Sequence, residues 1–195
     1  MPIPQIRRIA RADRTRMPWA NGRGVTEEIA RAAGPGGRPS WRLSVAELRN
    51  SGPFSPLAGI DRVFTVIGDS GVRLDLGGAA RDIEPLTPCV FPGEEAPGCT
   101  LTAPTEAFNV MVERGSVRAT VTPVDVTGAT EIAGTADALL AVFVVRGSGT
   151  LAEVAAEPGD CLLLEPPARP AAPQHGTPFH GTARLLVVEL VTTPE

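Results

Sequence analysis

No apolar run in this chain is longer than a β-strand, and nearly every run ends near glycine or proline. The clear runs are Trp41–Leu48, Val63–Ile67, Cys89–Phe91, Phe108–Val112, Val117–Val121, Leu139–Val145, Cys161–Leu164 and Leu185–Val191. Most alternate or are rich in β-branched residues, the pattern of half-buried and buried strands. Gly-Pro, Pro-Gly, Gly-Gly and Ser-Gly pairs fill the gaps and mark turns. The chain has 21 glycines and 20 prolines, and in helix interiors these cost about 1 and 3 kcal/mol each. Coiled coils and helical bundles are thereby excluded. A membrane-spanning helix, which needs roughly 18 apolar residues, has nowhere to sit. One stretch, Thr26–Ala33, allows a short helix stopped at Pro35. Many short strands with turns between them predict an all-β barrel or sandwich.

The 195 residues leave room for one large domain or two small ones. All 18 basic residues are arginine, against 22 acidic ones, for a net charge of −4. That balance argues against a polyanion-binding surface. An aromatic content of 4% is too low for a base-stacking platform, so neither nucleic acid nor membrane is an expected partner. Without lysine, Schiff-base and lysine general-base mechanisms are closed. Cys89, Cys99 and Cys161 cannot close a disulfide set and show no metal-ligand spacing. They read as reduced thiols, two of them buried, of a cytoplasmic protein. The N-terminus is Arg-rich but lacks the apolar stretch of a secretory signal.

The chain echoes itself. Val63-Phe64-Thr65-Val66-Ile67-Gly68-Asp69-Ser70-Gly71 is matched by Val142-Phe143-Val144-Val145-Arg146-Gly147-Ser148-Gly149. Downstream, Glu84-Pro85 leading to Cys89-Val90-Phe91 is matched by Glu157-Pro158-Gly159-Asp160-Cys161-Leu162-Leu163. Two similar offsets in the same order suggest a duplicated unit of roughly 75 residues. A strand, a Gly-x-Gly signal, another strand and Pro-Gly-Asp before an apolar strand resembles the cupin β-barrel. That resemblance implies a hairpin turn at the glycines and a bicupin-like, RmlC-like jelly-roll chain. Its approximate halves are residues 1–115 and 116–195.

Metal-bearing cupins use several histidines and a glutamate, and this chain has only His175 and His180. Five apart in a Pro/Gly-rich stretch, they read as solvated loop histidines, so no metal and no cofactor is expected. There is no nucleophile elbow. Asn21-Gly22-Arg23-Gly24 is too short for a phosphate-binding loop.

The most distinctive segments are polar and aromatic. They are Arg16-Met17-Pro18-Trp19-Ala20-Asn21-Gly22-Arg23-Gly24-Val25-Thr26-Glu27-Glu28, Trp41-Arg42-Leu43-Ser44-Val45-Ala46-Glu47, Gly52-Pro53-Phe54-Ser55-Pro56-Leu57-Ala58-Gly59-Ile60-Asp61-Arg62 and Phe108-Asn109-Val110-Met111. Their order and spacing resemble the HutD/Ves family of cupin-like proteins, densely over residues 16–111. The family usually has Lys at Ala20, a third glycine at Arg23 and Asp at Ala107. The resemblance implies a bicupin without an established enzymatic activity, associated with control of histidine utilisation. It also implies a small acidic ligand such as urocanate or formylglutamate, with Arg62 as carboxylate anchor.

The residues suit such a site. A guanidinium binds a carboxylate through two parallel hydrogen bonds. Strand alternation puts Arg42, Ser44 and Ala46 on one face and Trp41, Leu43 and Val45 on the other. Asn109 and Met111 likewise share a face, leaving Phe108, Val110 and Val112 opposite. The candidate ligand-binding residues are Arg62, Arg42, Ser44, Asn109 and Asn21, and no catalytic residue is assigned. Bland roles stay open for each. Arg62 can brace a loop through Asp61 or Glu47, and Arg42 can form a structural salt bridge. Asn109 can satisfy buried backbone groups, and Asn21 can simply turn the chain. Trp19 and Trp41 read as core aromatics. A cupin enzyme, isomerase or metal-dependent dioxygenase, is the alternative function, since fold alone does not choose. A homodimer through flat barrel faces is a third reading.

Overall fold

The computed structural model describes residues 5–19, 24–135, 137–165 and 176–193. In chain order these form strands β1 (Ile6–Ile9), β2 (Thr15–Pro18), β3 (Gly24–Ala33), β4 (Pro39–Leu48), β5 (Gly52–Pro53), β6 (Ile60–Val66), β7 (Val72–Leu76) and β8 (Ala79–Ile83). There follow β9 (Cys89–Pro92), β10 (Gly98–Leu101), β11 (Thr105–Glu113), β12 (Val117–Ile132), β13 (Leu139–Leu151), β14 (Val154–Ala156), β15 (Cys161–Leu164) and β16 (Thr177–Thr192). Helix is confined to short 3₁₀ turns, and no helix among the described residues is long and apolar enough to cross a membrane. Each of the eight apolar runs lies on a strand, with Ile67 falling just past the end of β6. Thr26–Ala33 is not helical, as its local pattern allowed, but part of β3. Pairing with β2 on one side and β4 on the other supplies ladder bonds that outweigh weak helical preference.

The chain divides into two compact units, one of residues Thr15–Val117 and one of residues up to Arg14 together with those from Arg118 onward. Strand β1 thus goes with the later strands, not with the rest of the 1–115 half expected of a bicupin. The cause is an edge pairing: β1 lies antiparallel on β15, Ile6 opposite Leu164 and Ile9 opposite Cys161.

In the Thr15–Val117 unit a six-stranded sheet, β2-β3-β4-β11-β6-β9, shares one core with a four-stranded sheet, β5-β10-β7-β8. Ala46, Phe64, Val66 and Ala107 from the first meet Val72, Leu74, Ile83 and Cys99 from the second. In the other unit β1-β15-β13-β16-β12 form a sheet with β14 on β13. Its core takes Val142, Val144, Leu162, Leu185 and Phe179. All three cysteines are free and buried, where two buried were expected.

The internal echo does not survive as an in-register repeat. It aligns Phe64 with Phe143 and Val63 with Val142, but the two cores use opposite parity, Phe64 and Val66 in one and Val142 and Val144 in the other. A one-residue slip moves every side chain of a strand to the other face. The glycine signals differ too. Gly147 lies inside β13, not in a hairpin turn, just past a register shift at Val144–Arg146. Its φ is +73°, and a Cβ there would run into the Thr182 carbonyl of β16. Gly68 to Gly71 link β6 to β7, which belong to different sheets.

Asp160, 3% exposed, ties the first strand down. Its carboxylate accepts from Arg8 Nε at 2.9 Å, from the Arg11 backbone N–H at 3.2 Å and from the Glu157 N–H at 3.0 Å. Arg14 donates to the Gly159 carbonyl and lies over the Phe143 ring. Truncation of Asp160 strands two backbone donors, each worth about 1–3 kcal/mol, while Arg8, an exposed side chain, turns to water. Asp160→Ala is expected to lower the unfolding free energy by about 3 kcal/mol in a urea titration, with Asp160→Asn intermediate.

Candidate functional site

Register places the polar residues of the Thr15–Val117 unit in rows across its six-stranded sheet. Arg42 faces Met111, which faces Arg62, which faces Phe91. One step along, Ser44 faces Asn109, which faces Phe64. The next row is apolar and small, with Ala46 beside Ala107 and Val66. The same sheet face therefore changes from polar to core within two rows, because Ala46, Ala107 and Val66 belong to the buried cluster. The polar rows line a cleft of about 240 Å³, completed by Met17, Trp19 and Thr26 on one side and Phe54, Ser55 and Leu57 on the other.

Arg62 is the centre of the cleft. It is 8% exposed, and its Nε and one terminal nitrogen both donate to Asn109 Oδ1, at 2.8 and 2.6 Å. Asn109, 1% exposed, keeps that orientation by donating its Nδ2 to the Ala107 carbonyl at 3.3 Å. The guanidinium carbon lies 4.4 Å from the Phe54 ring centroid, 5.6 Å from Phe91 and 5.8 Å from Phe64. Three aromatic faces and a neutral amide thus hold the cation. Asp61 and Glu47, which could have braced it, are engaged elsewhere: Asp61 holds Arg114 together with Glu94, and Glu47 holds Arg49. Burial, and next the like charge of Arg42, lower the Arg62 pKa to about 10. It stays protonated at neutral pH.

Arg42 is half-buried. A terminal nitrogen donates to Met111 Sδ at 3.2 Å, and its Nε is buried without a hydrogen-bond partner among the described residues. No carboxylate among the described residues lies within ion-pair distance of it. Its pKa is lowered by burial, against the pull of Glu28. Trp19 donates from its indole to Thr26 Oγ1 at 2.8 Å, which stands the ring at the cleft wall. Gly24 permits this, since a Cβ there would lie 2.9 Å from the ring.

The family model for HutD matches residues 11–183. The chain belongs to the HutD family. Its sequence is 41% identical over 101 residues to an uncharacterized 21.2 kDa protein in the hutC 3′ region of Pseudomonas putida, covering 51% of this chain and 53% of that protein. It is 36% identical over 110 residues to protein Ves of Cronobacter sakazakii, covering 55% and 60%. The matches therefore span little more than half the length of these relatives. HutD from Pseudomonas fluorescens superposes with a TM-score of 0.84 at 33% identity, over 97% of this chain and 100% of that one. Bacterial pirin YhhW from Escherichia coli shares the fold alone, with a TM-score of 0.63 at 10% identity over 95% of this chain and 98% of that one. The fold is accordingly β-rich and cupin-like.

Four of the five residues singled out in this HutD-family chain, Arg42, Ser44, Arg62 and Asn109, come together in the cleft. Asn21 lies outside the described residues. Trp19 lines the cleft as well as packing on the core. His180 is an exposed residue of β16, not of a loop, and His175 falls outside the described residues. Among the described residues no three His, Cys, Asp or Glu converge as a metal set. Phe54 and Met111 escaped selection. Both stand within the quoted motifs, and Met111 shares the strand parity of Asn109, so alternation already put it at the site.

Two outcomes follow from a cation held by a neutral amide. Asn109→Asp supplies an internal carboxylate, so carboxylate affinity should fall about tenfold or more while the melting temperature rises by about 2–4 °C. Asn109→Leu should lower both. Carboxylate affinity should be level from about pH 6 to 9 and decline as Arg62 loses its proton near pH 10. At the acid end it should decline only as the ligand itself protonates near pH 4. Calorimetric titration across pH reads both limbs.

Proposed function

We propose that this chain binds a small carboxylate metabolite in the Arg62 cleft, without catalysis, and that it acts in the cytoplasm to adjust histidine utilisation. The supporting observation is a buried cation whose hydrogen bonds go to a neutral amide, with a second guanidinium two strands away across Met111. Desolvating a charge costs several kcal/mol unless it is paired. A ligand carboxylate would complete that pairing where, among the described residues, no protein carboxylate does. Ser44 and Asn109 add uncharged polar groups that suit an imidazole, formamide or second carboxyl.

Urocanate and N-formylglutamate fit this chemistry, being planar or short, anionic and polar at both ends. The reading draws on family membership for the pathway, as does the Pseudomonas putida relative described by its place in the hutC 3′ region. It also takes both compact units as cupin-type jelly rolls, with the ligand in the Thr15–Val117 unit.

Calorimetry with urocanate, N-formylglutamate and formiminoglutamate tests the proposal. At least one should bind with a dissociation constant below 1 mM, roughly the floor of specific recognition for a ligand of this size. Arg62→Ala should weaken it about a hundredfold, and Arg42→Ala less, because Arg42 is more exposed. If none of the three binds below millimolar concentration and Arg62→Ala matches the wild type, the carboxylate reading is wrong.

A further inference from the structure

We propose that Met111 is a reversible oxidation site that switches the cleft off, its sulfoxide oxygen taking the place of the ligand's carboxylate on Arg42. This rests on the carboxylate reading of the same cleft. The motivating geometry is a single row of the sheet. Met111 stands directly between Arg42 and Arg62 in register. Its sulfur already receives a hydrogen bond from Arg42 at 3.2 Å. The same guanidinium has a buried Nε with no acceptor among the described residues. A thioether sulfur is a weak acceptor, so this cation is poorly satisfied by its hydrogen bond among the described residues.

Met111 is reachable. It is partly exposed and lines the cleft wall, unlike a core methionine sealed from solvent. The chain has three methionines, and Met17 and Met111 both line this one cleft. Among the described residues Met111 accepts from an arginine and Met17 does not, which separates the two.

The chemistry needs a peroxide and nothing else. A sulfur lone pair attacks one peroxide oxygen. The S–O bond forms as the O–O bond breaks, and the displaced oxygen leaves as water with both peroxide protons. Sulfur is oxidised by two electrons and hydrogen peroxide is reduced. The product exchanges a weak acceptor for a strongly polar oxygen beside a hydrogen-bond donor. Methionine sulfoxide is returned to the thioether by sulfoxide reductases, so the change is reversible. Oxidation would thus fill the anion site from within, with no change in fold.

The experiment compares each protein with itself before and after mild hydrogen peroxide, using N-formylglutamate and urocanate as calorimetric probes and peptide mass spectrometry to locate added oxygen. In a Met17→Leu background, oxygen should appear on Met111, and affinity should fall about tenfold or more. A methionine sulfoxide reductase should restore it. In Met111→Leu, the ratio of affinities before and after peroxide should stay near one. Failure of Met111 to oxidise at a dose that oxidises it in the urea-unfolded chain overturns the proposal. So does an unchanged affinity after oxidation, or an equal loss in Met111→Leu. If the untreated protein binds neither these probes nor formiminoglutamate and Arg62→Ala matches the wild type, the carboxylate reading has failed, and melting temperatures decide the Met111 contact alone. Arg42-held sulfoxide should leave the oxidised Met17→Leu protein about 2–4 °C less destabilised by peroxide than its Arg42→Ala counterpart. Equal shifts would overturn it.

Discussion

The hydrogen bonds from Arg62 to Asn109 join two requirements that usually conflict. A buried guanidinium is costly to desolvate, and proteins normally offset that cost with a carboxylate. Here the partner is an amide oxygen at 2.6–2.8 Å, backed by three phenylalanine rings. Charge-assisted hydrogen bonds and cation–π contacts each contribute about 1–3 kcal/mol in a desolvated site. They hold the side chain in one orientation but leave its charge in place. A carboxylate at position 109 would do the first and cancel the second. The identity of one side chain, an amide in place of a carboxyl, therefore decides whether Arg62 is closed in an ion pair or keeps an uncompensated charge.

The sheet supplies the rest of the arrangement. Cross-strand register sets Arg42, Met111 and Arg62 in a row, and the row behind it carries Ser44 and Asn109. Small residues follow, Ala46 and Ala107, which let the opposing sheet close over Phe64 and Val66 with its Val72 and Leu74. Core and site are successive rows of one surface. A register slip would disturb them together, which gives the apolar packing a direct role in positioning the polar groups.

Much of this was legible before any coordinates. The eight apolar runs are strands because their length and glycine–proline boundaries leave no other element. Alternation along β4 and β11 grouped Arg42 with Ser44 and Asn109 with Met111, and the structure places all four on the cleft. What failed was the longer-range inference. The Val-Phe-x-Val echo looked like a repeat, yet the cores take Phe64 from one copy and Val142 from the other. Sequence similarity over eight residues does not carry face parity, which a single bulge can invert. Thr26–Ala33 misled for a related reason, since its strand state comes from neighbours on both sides. The role of Phe54 was hidden because β5 is only two residues long, so no periodicity marks which way its successor points.

Arginine serves two purposes in this chain, and neither follows from its abundance. In the unit that contains β1, Arg8 meets Asp160, whose remaining lone pairs are taken by backbone N–H groups. On the surface, Arg49, Arg73, Arg114 and Arg184 each face a carboxylate. Those pairs are internally complete. Arg62 and Arg42 differ in kind: one donates to an amide and the other to a thioether. Among the described residues no carboxylate lies within ion-pair distance of either cleft cation, although Glu28 pulls on Arg42 from farther away. Repulsion between the two guanidiniums adds to their burial in depressing the Arg62 pKa. On the carboxylate reading, an incoming anion would offset that repulsion and supply the counter-charge that burial makes valuable. The affinity such a site can reach thus depends less on the contacts the ligand adds than on the unfavourable electrostatics it removes.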